Sequence, residues 1–269
     1  MKEKIIKIIF LISTIIGITI TISTVNEIIK ENQEISEIED SISELKEVAI
    51  CSYEKQTNEV IQFEDENMNR KINWNELQTI NKDIVGWIYI PNTNIDYPIL
   101  QEQEIGGEYY LHHDYKGDYL YAGSVFTPKQ PYENIEDAHM LLFAHRMKDK
   151  TIMFSSLHSY YADEELMLEN KYAYVYTKDK TERYAIWCTK NAKSNDSIYM
   201  LPYILGSEEY KELLSNLEIT SNYRIGTPPT NNDKILVTST CSGSVNGSDR
   251  FYVVFKIDEI NNLIINNES

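Results

Sequence analysis

The sequence predicts a mainly β domain, either a single barrel or a sandwich, with helices inserted between the strands. Three observations favour this fold class. Runs of β-branched and aromatic residues recur through the C-terminal two thirds of the chain, separated by turn residues. Helical spacing in this part is confined to short insertions between those runs. Tyrosine is abundant (20 residues) and glycine is scarce (10 residues), a composition compatible with a sheet-rich globular domain.

Eight stretches carry the strand pattern and three carry the helical pattern. Strands are predicted at residues 84–90, 95–100, 121–126, 138–145, 172–177, 183–189, 235–240 and 251–257. Helices are predicted at 73–81, 153–168 and 207–217, and the last of these lies between strands. Turn residues at 91–94 and 178–180 join strand pairs, while 109–114 is an aromatic, histidine-rich loop.

Residues 1–25 have the composition of a membrane anchor. Lys2, Lys4 and Lys7 precede an uncharged stretch at 8–25, which is at the short end of the roughly 20 residues that a spanning helix needs. No small-residue cleavage site follows, which favours an uncleaved signal anchor over a removed signal peptide. Because the lysines precede the span, we expect a single pass through the cell membrane, with the N-terminus cytoplasmic and the remainder extracellular.

Residues 26–72 are predicted to form a helical stalk followed by a linker. Apolar residues recur at spacings of three, four and seven between Ile28 and Ala49, with acidic residues beside them. This stripe is either a coiled-coil seam or, as its short length favours, one face of an amphipathic helix lying on its own domain. Residues 56–70 are the polar linker, and residues 261–269 form a polar tail after the main domain at 73–260.

Composition excludes nucleic-acid binding and a disulfide framework. The net charge of −17 argues against nucleic acid as a partner, because phosphate binding needs a basic face. Three cysteines cannot form a disulfide framework, since one is left over. Cys51 lies beside the linker and is predicted to be an idle thiol. Cys188 lies within the alternating pattern of the strand predicted at 183–189 and is predicted to be a core thiol.

The chain carries no motif for a phosphate group, a dinucleotide or a metal ion. It lacks a glycine-rich phosphate loop and a dinucleotide fingerprint. The run His112-His113-Asp114 contains metal-ligating residue types, but adjacent residues on an extended chain point in opposite directions. No cysteine or histidine cluster elsewhere completes a coordination shell. We therefore expect neither a metal ion nor an organic cofactor.

Residues 234–256 are predicted to form two strands and a joining loop that bring a cysteine and an arginine together. Cys241 ends the first strand and Arg250 begins the second, separated by the eight residues 242–249. If the strands pair antiparallel, both residues lie at one edge of the sheet. A guanidinium beside a thiol stabilises the thiolate and can hold a developing oxyanion. The alternative is a structural cysteine and a solvated arginine.

A thiol nucleophile needs a base, and His145 is the first candidate among the five histidines. It ends an apolar strand, which would hold it at a sheet edge. His139 lies on the same strand at the opposite end. The other three, His112, His113 and His158, are predicted to be surface or structural residues.

Four segments resemble class B sortases, the membrane-anchored cysteine transpeptidases of Gram-positive bacteria. The first segment is 84–99, and the second is Tyr109-Tyr-Leu-His-His-Asp114 followed by Ala122-Gly-Ser-Val-Phe126. The third is Phe143-Ala-His145-Arg-Met-Lys-Asp149 with Met153-Phe154, and the fourth is Thr238-Ser-Thr-Cys241 with Arg250-Phe-Tyr-Val-Val254. Each motif alone is weak, but the ordered set behind an N-terminal anchor is specific. The resemblance covers about residues 73–257.

The resemblance implies a sortase-type closed β-barrel with N-terminal helices and a helix inserted between the sixth and seventh strands. It implies that Cys241 attacks the carbonyl of Thr in a Pro-containing C-terminal sorting signal, that His145 transfers protons and that Arg250 stabilises the oxyanion. Ser239, Thr240 and Leu111 would contact substrate. The implied partners are secreted proteins carrying the signal and an amine acceptor, from peptidoglycan or a pilin lysine. No metal or organic cofactor is implied.

The chain departs from the family pattern beside the catalytic residues. The family usually has Thr-Leu-x-Thr-Cys, where this chain has Val237 and Thr238 in the first two positions. The family histidine usually follows Gly and precedes Asn, where this chain has Ala144 and Arg146. These changes are expected to affect substrate preference and rate. The sequence does not distinguish between a haem-uptake protein and a pilin as the substrate.

Two other function classes remain open from the sequence. One is a cell-wall cysteine peptidase or amidase that uses water as the acceptor. Its cysteine usually lies at a helix N-terminus, whereas Cys241 ends a strand. The other is a non-catalytic surface binding protein with an idle cysteine.

Overall fold

The structure is a computed structural model that describes residues 2–50, 64–129, 138–147, 151–200, 202–241 and 247–262. The chain divides into two compact units, Met1–Glu47 and Val48–Ser269. Cys51 and most of the predicted linker lie outside the described residues, as does the predicted tail from residue 263 onward.

Helix α1 (Lys2–Ala49) is continuous through the predicted anchor and the predicted stalk. Within the described residues it is the one helix long and apolar enough to cross a membrane, with a mean hydropathy of 2.5 over its most apolar window. The hydroxyls of Ser13, Thr14 and Thr21 bond to carbonyls three or four residues earlier in the helix. Their polar groups are therefore satisfied within the helix, as a lipid environment requires.

Nine strands in the described residues form one sheet that closes into a barrel. They are β1 Ile84–Tyr89, β2 Asp96–Gln101, β3 Phe126–Thr127, β4 His139–Phe143, β5 Tyr172–Tyr176, β6 Lys180–Lys193, β7 Tyr223–Arg224, β8 Ile235–Cys241 and β9 Asp249–Asn262. The order is β5-β1-β2-β3-β4-β8-β9-β6-β7, and β5 also pairs with β6. That pairing closes an eight-stranded ring, with β7 appended to β6. The predicted mainly β class is confirmed, and the barrel is the form it takes.

Four further α-helices are described: α2 Trp74–Ile80, α3 Leu157–Tyr160, α4 Glu164–Glu169 and α5 Glu208–Thr220. Helix α5 begins where the Ser207 side chain accepts a hydrogen bond from the Tyr210 backbone N–H, and two glutamates occupy its first turn. It lies between β6 and β7, as the resemblance implies. Its buried face, which includes Leu213 and Leu217, packs with Val237 of β8 in one apolar cluster.

Two predicted elements differ from the structure. The single helix predicted at 153–168 is two short helices, because the Asp163 side chain caps a new helix by accepting from the Leu166 N–H. The strand predicted at 121–126 is present only as Phe126–Thr127. Gly123 has φ +59° and turns the chain where the apolar pattern indicated extension.

The described end of the predicted linker is packed against the barrel. Met68, in a 3-10 turn at Glu66–Asn69, is buried. The Arg70 guanidinium pairs with Asp96 at 2.9 Å and lies over the ring of Tyr89 at 4.8 Å. Asp65 pairs with Arg183 at 2.9 Å. Polar composition predicted a linker here, but these charged side chains bind partners on the sheet.

His139, at the start of β4, is a buried histidine that is 1% exposed. Neither ring nitrogen has a hydrogen-bond partner among the described residues, and the ring packs edge-on against Tyr203 at 5.7 Å. Burial lowers the pKa of His139 to about 3. Since this native pKa lies below the unfolded value of 6.5, the unfolded chain binds the proton first as the pH falls. The stability contributed by neutral His139 is therefore present above pH 6.5 and is lost between pH 6.5 and 3.

Replacing His139 with leucine should reduce the acid sensitivity of folding. On lowering the pH by two units from the unfolded pKa, we expect the wild type to lose about 2 to 3 kcal/mol more unfolding free energy than the variant. Urea denaturation of the full chain in detergent at both pH values measures this difference. His158→Gln alters an exposed histidine and should follow the wild type. Equal pH dependence of His139→Leu and wild type would contradict the assignment of a neutral core histidine.

Candidate active site

The ends of three neighbouring strands bring the three predicted catalytic residues to one edge of the barrel. Strand β4 runs parallel to β8 with Phe143 opposite Ser239, and the Ala144 N–H bonds to the Ser239 carbonyl at 3.3 Å. Continuing this register by two residues places His145 level with Cys241. Strand β9 is antiparallel to β8, with Arg250 directly opposite Cys241. The backbone register therefore assembles the set that the sequence predicted.

The backbone around His145 is held on both sides of the residue. Before it, Ala144 bonds to β8; after it, the Met147 N–H donates to the Ser155 hydroxyl at 2.9 Å. The His145 ring hydrogen-bonds to the backbone carbonyl of Leu111. Its Nε2 is buried and has no hydrogen-bond partner among the described residues. The ring therefore has one fixed nitrogen and one nitrogen available for proton transfer.

Burial and the nearby His112 lower the pKa of His145 to about 4, and the Leu111 carbonyl acts in the opposite direction. His145 is consequently neutral near pH 7. A neutral imidazole with an unpaired Nε2 can accept a proton from a thiol and later return it. A histidine already protonated at rest could not take that first proton.

A loop between β2 and β3 delivers the Leu111 carbonyl to His145. The Tyr110 N–H donates to the buried Glu102 carboxylate at 2.8 Å, and the Tyr110 carbonyl accepts from the Ser124 N–H at 2.9 Å. Gly123 lies so close to the carbonyl oxygens of Tyr110 and Leu111 that a Cβ at this position would overlap both. The turn at Gly123 thus fixes the carbonyl that orients His145.

Gly123→Ala is therefore expected to lower both stability and the rate of the reaction that His145 serves. The added methyl must displace two backbone carbonyls, which cannot move as a flexible side chain could. We expect about a tenfold or greater loss of kcat, beyond a loss of stability of about 1 kcal/mol or more from the positive φ. Gly206→Ala is the control, because Gly206 also has positive φ (+82°) but only the Asn232 side chain within 4 Å. Equal effects of the two substitutions on kcat would contradict the positioning role.

Consecutive hydroxyl residues line the end of β8. Thr238, Ser239 and Thr240 are all buried. The Ser239 hydroxyl shares a 2.8 Å hydrogen bond with Tyr199, whose ring also stacks on Phe143 at 5.8 Å. The Oγ1 atom of Thr240 is buried without a hydrogen-bond partner among the described residues. A buried hydroxyl left unpaired costs free energy, so this atom is suited to a partner supplied by a ligand.

Arg250 is half-buried at the start of β9. One guanidinium nitrogen donates to the carbonyls of Gly247 and Asp249, both at 3.0 Å. These bonds hold the guanidinium against its own loop, at the strand position facing Cys241. These two hydrogen bonds fix the plane of the guanidinium at this strand end.

No family model matches the chain. Its sequence is 32% identical over 168 residues to sortase B of Listeria monocytogenes, covering 62% of this chain and 65% of that protein. It is 28% identical over 192 residues to sortase B of Staphylococcus aureus, covering 68% of this chain and 74% of that protein. The match thus spans slightly less than two thirds of the Listeria protein.

The same relationship appears in three dimensions. The crystal structure of sortase B from Bacillus anthracis superposes with a TM-score of 0.67 and 29% identity, covering 84% of this chain and 99% of that one. The chain is similar to class B sortases in both sequence and fold. The closed barrel and the helix between β6 and β7, both expected from the sequence resemblance, are confirmed by the structure.

The departures from the sortase pattern lie in different environments. Ala144, Val237 and Thr238 are buried where β4 and β8 pair. Arg146 is exposed just beyond His145. The first three substitutions therefore act through strand packing beside the site, while the fourth changes the charge presented at its rim.

The structure separates the five histidines. His139 is in the core at the far end of β4, and the His158 ring, on the exposed side of α3, contacts Phe251 at 4.7 Å. His113 stacks on Tyr109 at 3.7 Å. The sequence predicted His112 to be a surface or structural residue. The structure places its ring 5.1 Å from that of His145, a contact that this prediction did not include. Loop residues carry no periodicity, so the sequence held no signal for this contact beyond the residue type.

The remaining predictions concern thiols and metal ions. Cys188 is fully buried, and burial raises the pKa of its thiol to about 12, so the predicted core thiol is confirmed. Within the described residues no group of three His, Cys, Asp or Glu side chains could hold a metal ion. His113 stacks on Tyr109, the ring of His112 lies beside that of His145, and both histidines lie near Tyr119.

Proposed function

We propose that this chain is a cysteine transpeptidase that cleaves a C-terminal sorting signal of the Pro-x-Thr-Gly or Pro-x-Thr-Asn type after Thr. It would then join the cleaved protein to an amine of peptidoglycan or of a pilin lysine. The observation that carries the proposal is the register of β4, β8 and β9, which sets His145, Cys241 and Arg250 at one barrel edge. Similarity to sortase B proteins in sequence and fold supports the same chemistry.

The first half-reaction is acylation of Cys241. The thiol proton passes to Nε2 of neutral His145, and the sulfur attacks the Thr carbonyl carbon to give a tetrahedral oxyanion. Collapse of this intermediate breaks the C–N bond, and the leaving amine takes the proton from His145. The product is a thioester between Thr and Cys241, with the C-terminal peptide released.

The second half-reaction reverses these steps with a different amine. The incoming amine gives a proton to Nε2 and attacks the thioester carbon, and the C–S bond breaks as an amide forms. The departing thiolate recovers the proton from His145. The peptidase alternative differs only in that water replaces the amine, so the acceptor must be determined by experiment.

Arg250 is assigned to the oxyanion and to substrate orientation. Its guanidinium is held by the Gly247 and Asp249 carbonyls beside the nucleophile position. A fixed cation that meets charge developing in the transition state accelerates the step without reorganising. Ser239, Thr240 and Leu111 are proposed substrate contacts, with the unpaired Thr240 hydroxyl as the strongest of the three.

Replacing Arg250 with lysine should lower kcat about a hundredfold while leaving the melting temperature within a few degrees of wild type. Lysine keeps the charge but loses the planar guanidinium, in which one nitrogen binds both loop carbonyls and fixes the plane of the group. Steady-state kinetics with a sorting-signal peptide measures the effect. Arg224→Lys, on the exposed strand β7, is the matched control and should react like wild type. Wild-type turnover in Arg250→Lys would remove Arg250 from the mechanism.

The N-terminal helix is proposed to anchor the enzyme in the cell membrane by a single pass, with its N-terminus cytoplasmic and the barrel extracellular. The length and hydropathy of α1 support this proposal. Lysines at the N-terminal end of the span favour the stated orientation.

The function is tested by incubating the full chain in detergent with fluorogenic Pro-x-Thr-Gly and Pro-x-Thr-Asn peptides, with and without an added amine. Mass spectrometry identifies the products. Cleavage after Thr with an amine-linked product is the expected result and names the signal. Cleavage with hydrolysis alone at saturating amine would favour the peptidase. If no peptide is cleaved and Cys241 does not react with thiol reagents, the results would favour the alternative of a non-catalytic surface binding protein.

A further inference from the structure

We propose that His112 is a positioning residue for His145, holding its ring and setting its affinity for a proton. This inference rests on the function proposed for His145. It adds to the Cys241–His145–Arg250 set a fourth residue that acts through the histidine and does not touch substrate.

The first support is a cluster of three rings. The His112 and His145 centroids are 5.1 Å apart, with ring planes inclined by 45°. Tyr121 completes the cluster, at 5.5 Å from His145 and 6.1 Å from His112. The backbone of His112 is fixed on both sides, since its N–H donates to the Tyr109 carbonyl and its carbonyl accepts from the Leu120 N–H. The ring of His112 is therefore presented to His145 by a bonded turn.

The second support is the state of the polar atoms. Nδ1 of His112 and Nε2 of His145 are both buried, and neither has a hydrogen-bond partner among the described residues. If the two rings only packed against each other, phenylalanine side chains would be more stable here, because a buried nitrogen without a hydrogen bond costs folding free energy. Two adjacent orphaned imidazole nitrogens fit a place where protons are received.

The third support is electrostatic. A proton on one imidazole opposes a proton on the other, and this repulsion adds to burial in lowering the pKa of His145. Ionisable residues close to the pair are Tyr119 and Tyr121 on the same loop, His113 next to His112 and Arg146 next to His145. The strand register sets the backbone of Cys241 and that of Arg250 at the neighbouring strand ends. His112 is the one whose charge acts on His145 from ring-contact distance.

The test is His112→Phe, which keeps an aromatic ring and removes both ring nitrogens. Full-length protein in detergent, labelled with ¹³C at the histidine rings, gives the titration of His145 by NMR, assigned with His145→Ala. We expect the His145 midpoint to rise by about half a pH unit or more. The acid limb of kcat/KM should move upward by the same amount, because His145 must be neutral to accept the thiol proton. KM should change less than twofold.

His113→Phe is the matched control, because His113 is the next residue but stacks on Tyr109. It should leave the His145 titration unchanged. An unchanged His145 midpoint in His112→Phe, in a protein that still gives a wild-type CD spectrum, would overturn the proposal and leave His112 as packing. Should that variant fail to fold, His112→Gln applies the same test with a smaller, polar side chain. The NMR midpoint does not depend on turnover, so it separates failure of this inference from failure of the proposed reaction.

Discussion

Replacing Cys241 with alanine is expected to lower the rate of acyl transfer by about a thousandfold or more, with the fold retained. A reaction that passes through a thioester has no route once the sulfur is removed, and losses after removal of a nucleophile are typically of this size or larger. The backbone pairing of β8 with β4 and β9 does not require the thiol. Intact-protein mass spectrometry after mixing with peptide should reveal an acyl adduct on the wild type and none on Cys241→Ala.

Cys188→Ala is the control for this experiment. Its thiol is fully buried in the cluster beneath α5. Losing it should lower the melting temperature by creating a small cavity, while the acyl adduct still forms. A Cys241→Ala protein that turns over within tenfold of the wild-type rate would remove this residue as the nucleophile. An adduct that maps to Cys188 would do the same.

Replacing His145 with alanine is expected to lower kcat by about a hundred to ten-thousandfold, the range typical of a lost general acid–base group. The variant lacks the imidazole proposed to take the thiol proton and to return it to the leaving amine. The rate should recover partly when imidazole is added to the buffer. Because the His145 side chain is half-buried, its removal leaves a space that imidazole can enter from solvent. Single-turnover kinetics with and without imidazole measures both effects.

His139→Leu supplies the comparison on the same strand. Both histidines belong to the β4 segment, but His139 is in the core and its loss should change pH-dependent stability rather than kcat. Loss of turnover in His139→Leu, with His145→Ala unaffected, would mean that the wrong histidine was assigned.

Local pattern predicted most of the barrel strands, and tertiary contacts account for the differences. Strands β1 and β2 match their predicted ranges to within a residue, because apolar residues bounded by a turn specify them. Strand β3 is short because the chain turns at Gly123, which packs against the carbonyls of Tyr110 and Leu111 earlier in the same β2–β3 connection. No pattern in the sequence around Gly123 indicates this contact. Strands β6 and β9 each run to 14 residues, since their length is set by pairing with one another.

The candidate site was predictable in part. The juxtaposition of Cys241 and Arg250 followed from strand, loop and strand, and the observed register puts them opposite each other. The position of His145 beside them depends on the parallel pairing of β4 with β8, which no local spacing reveals. The Leu111 carbonyl and His112 were beyond sequence reasoning as partners of His145, because both come from a loop that folds back from elsewhere in the barrel.

The placement of β8 between β4 and β9 determines when, during synthesis, the proposed catalytic residues can come together. His145 emerges about a hundred residues ahead of Cys241, and β8 and β9 are the final strands of the described chain. Contacts between such distant segments form slowly, because a long loop must close before they can contribute. A growing chain therefore holds a histidine with no nucleophile until the last hairpin inserts and closes the ring. Under the proposed mechanism, turnover therefore requires that β8 and β9 have joined the barrel, so activity would report that the barrel is complete.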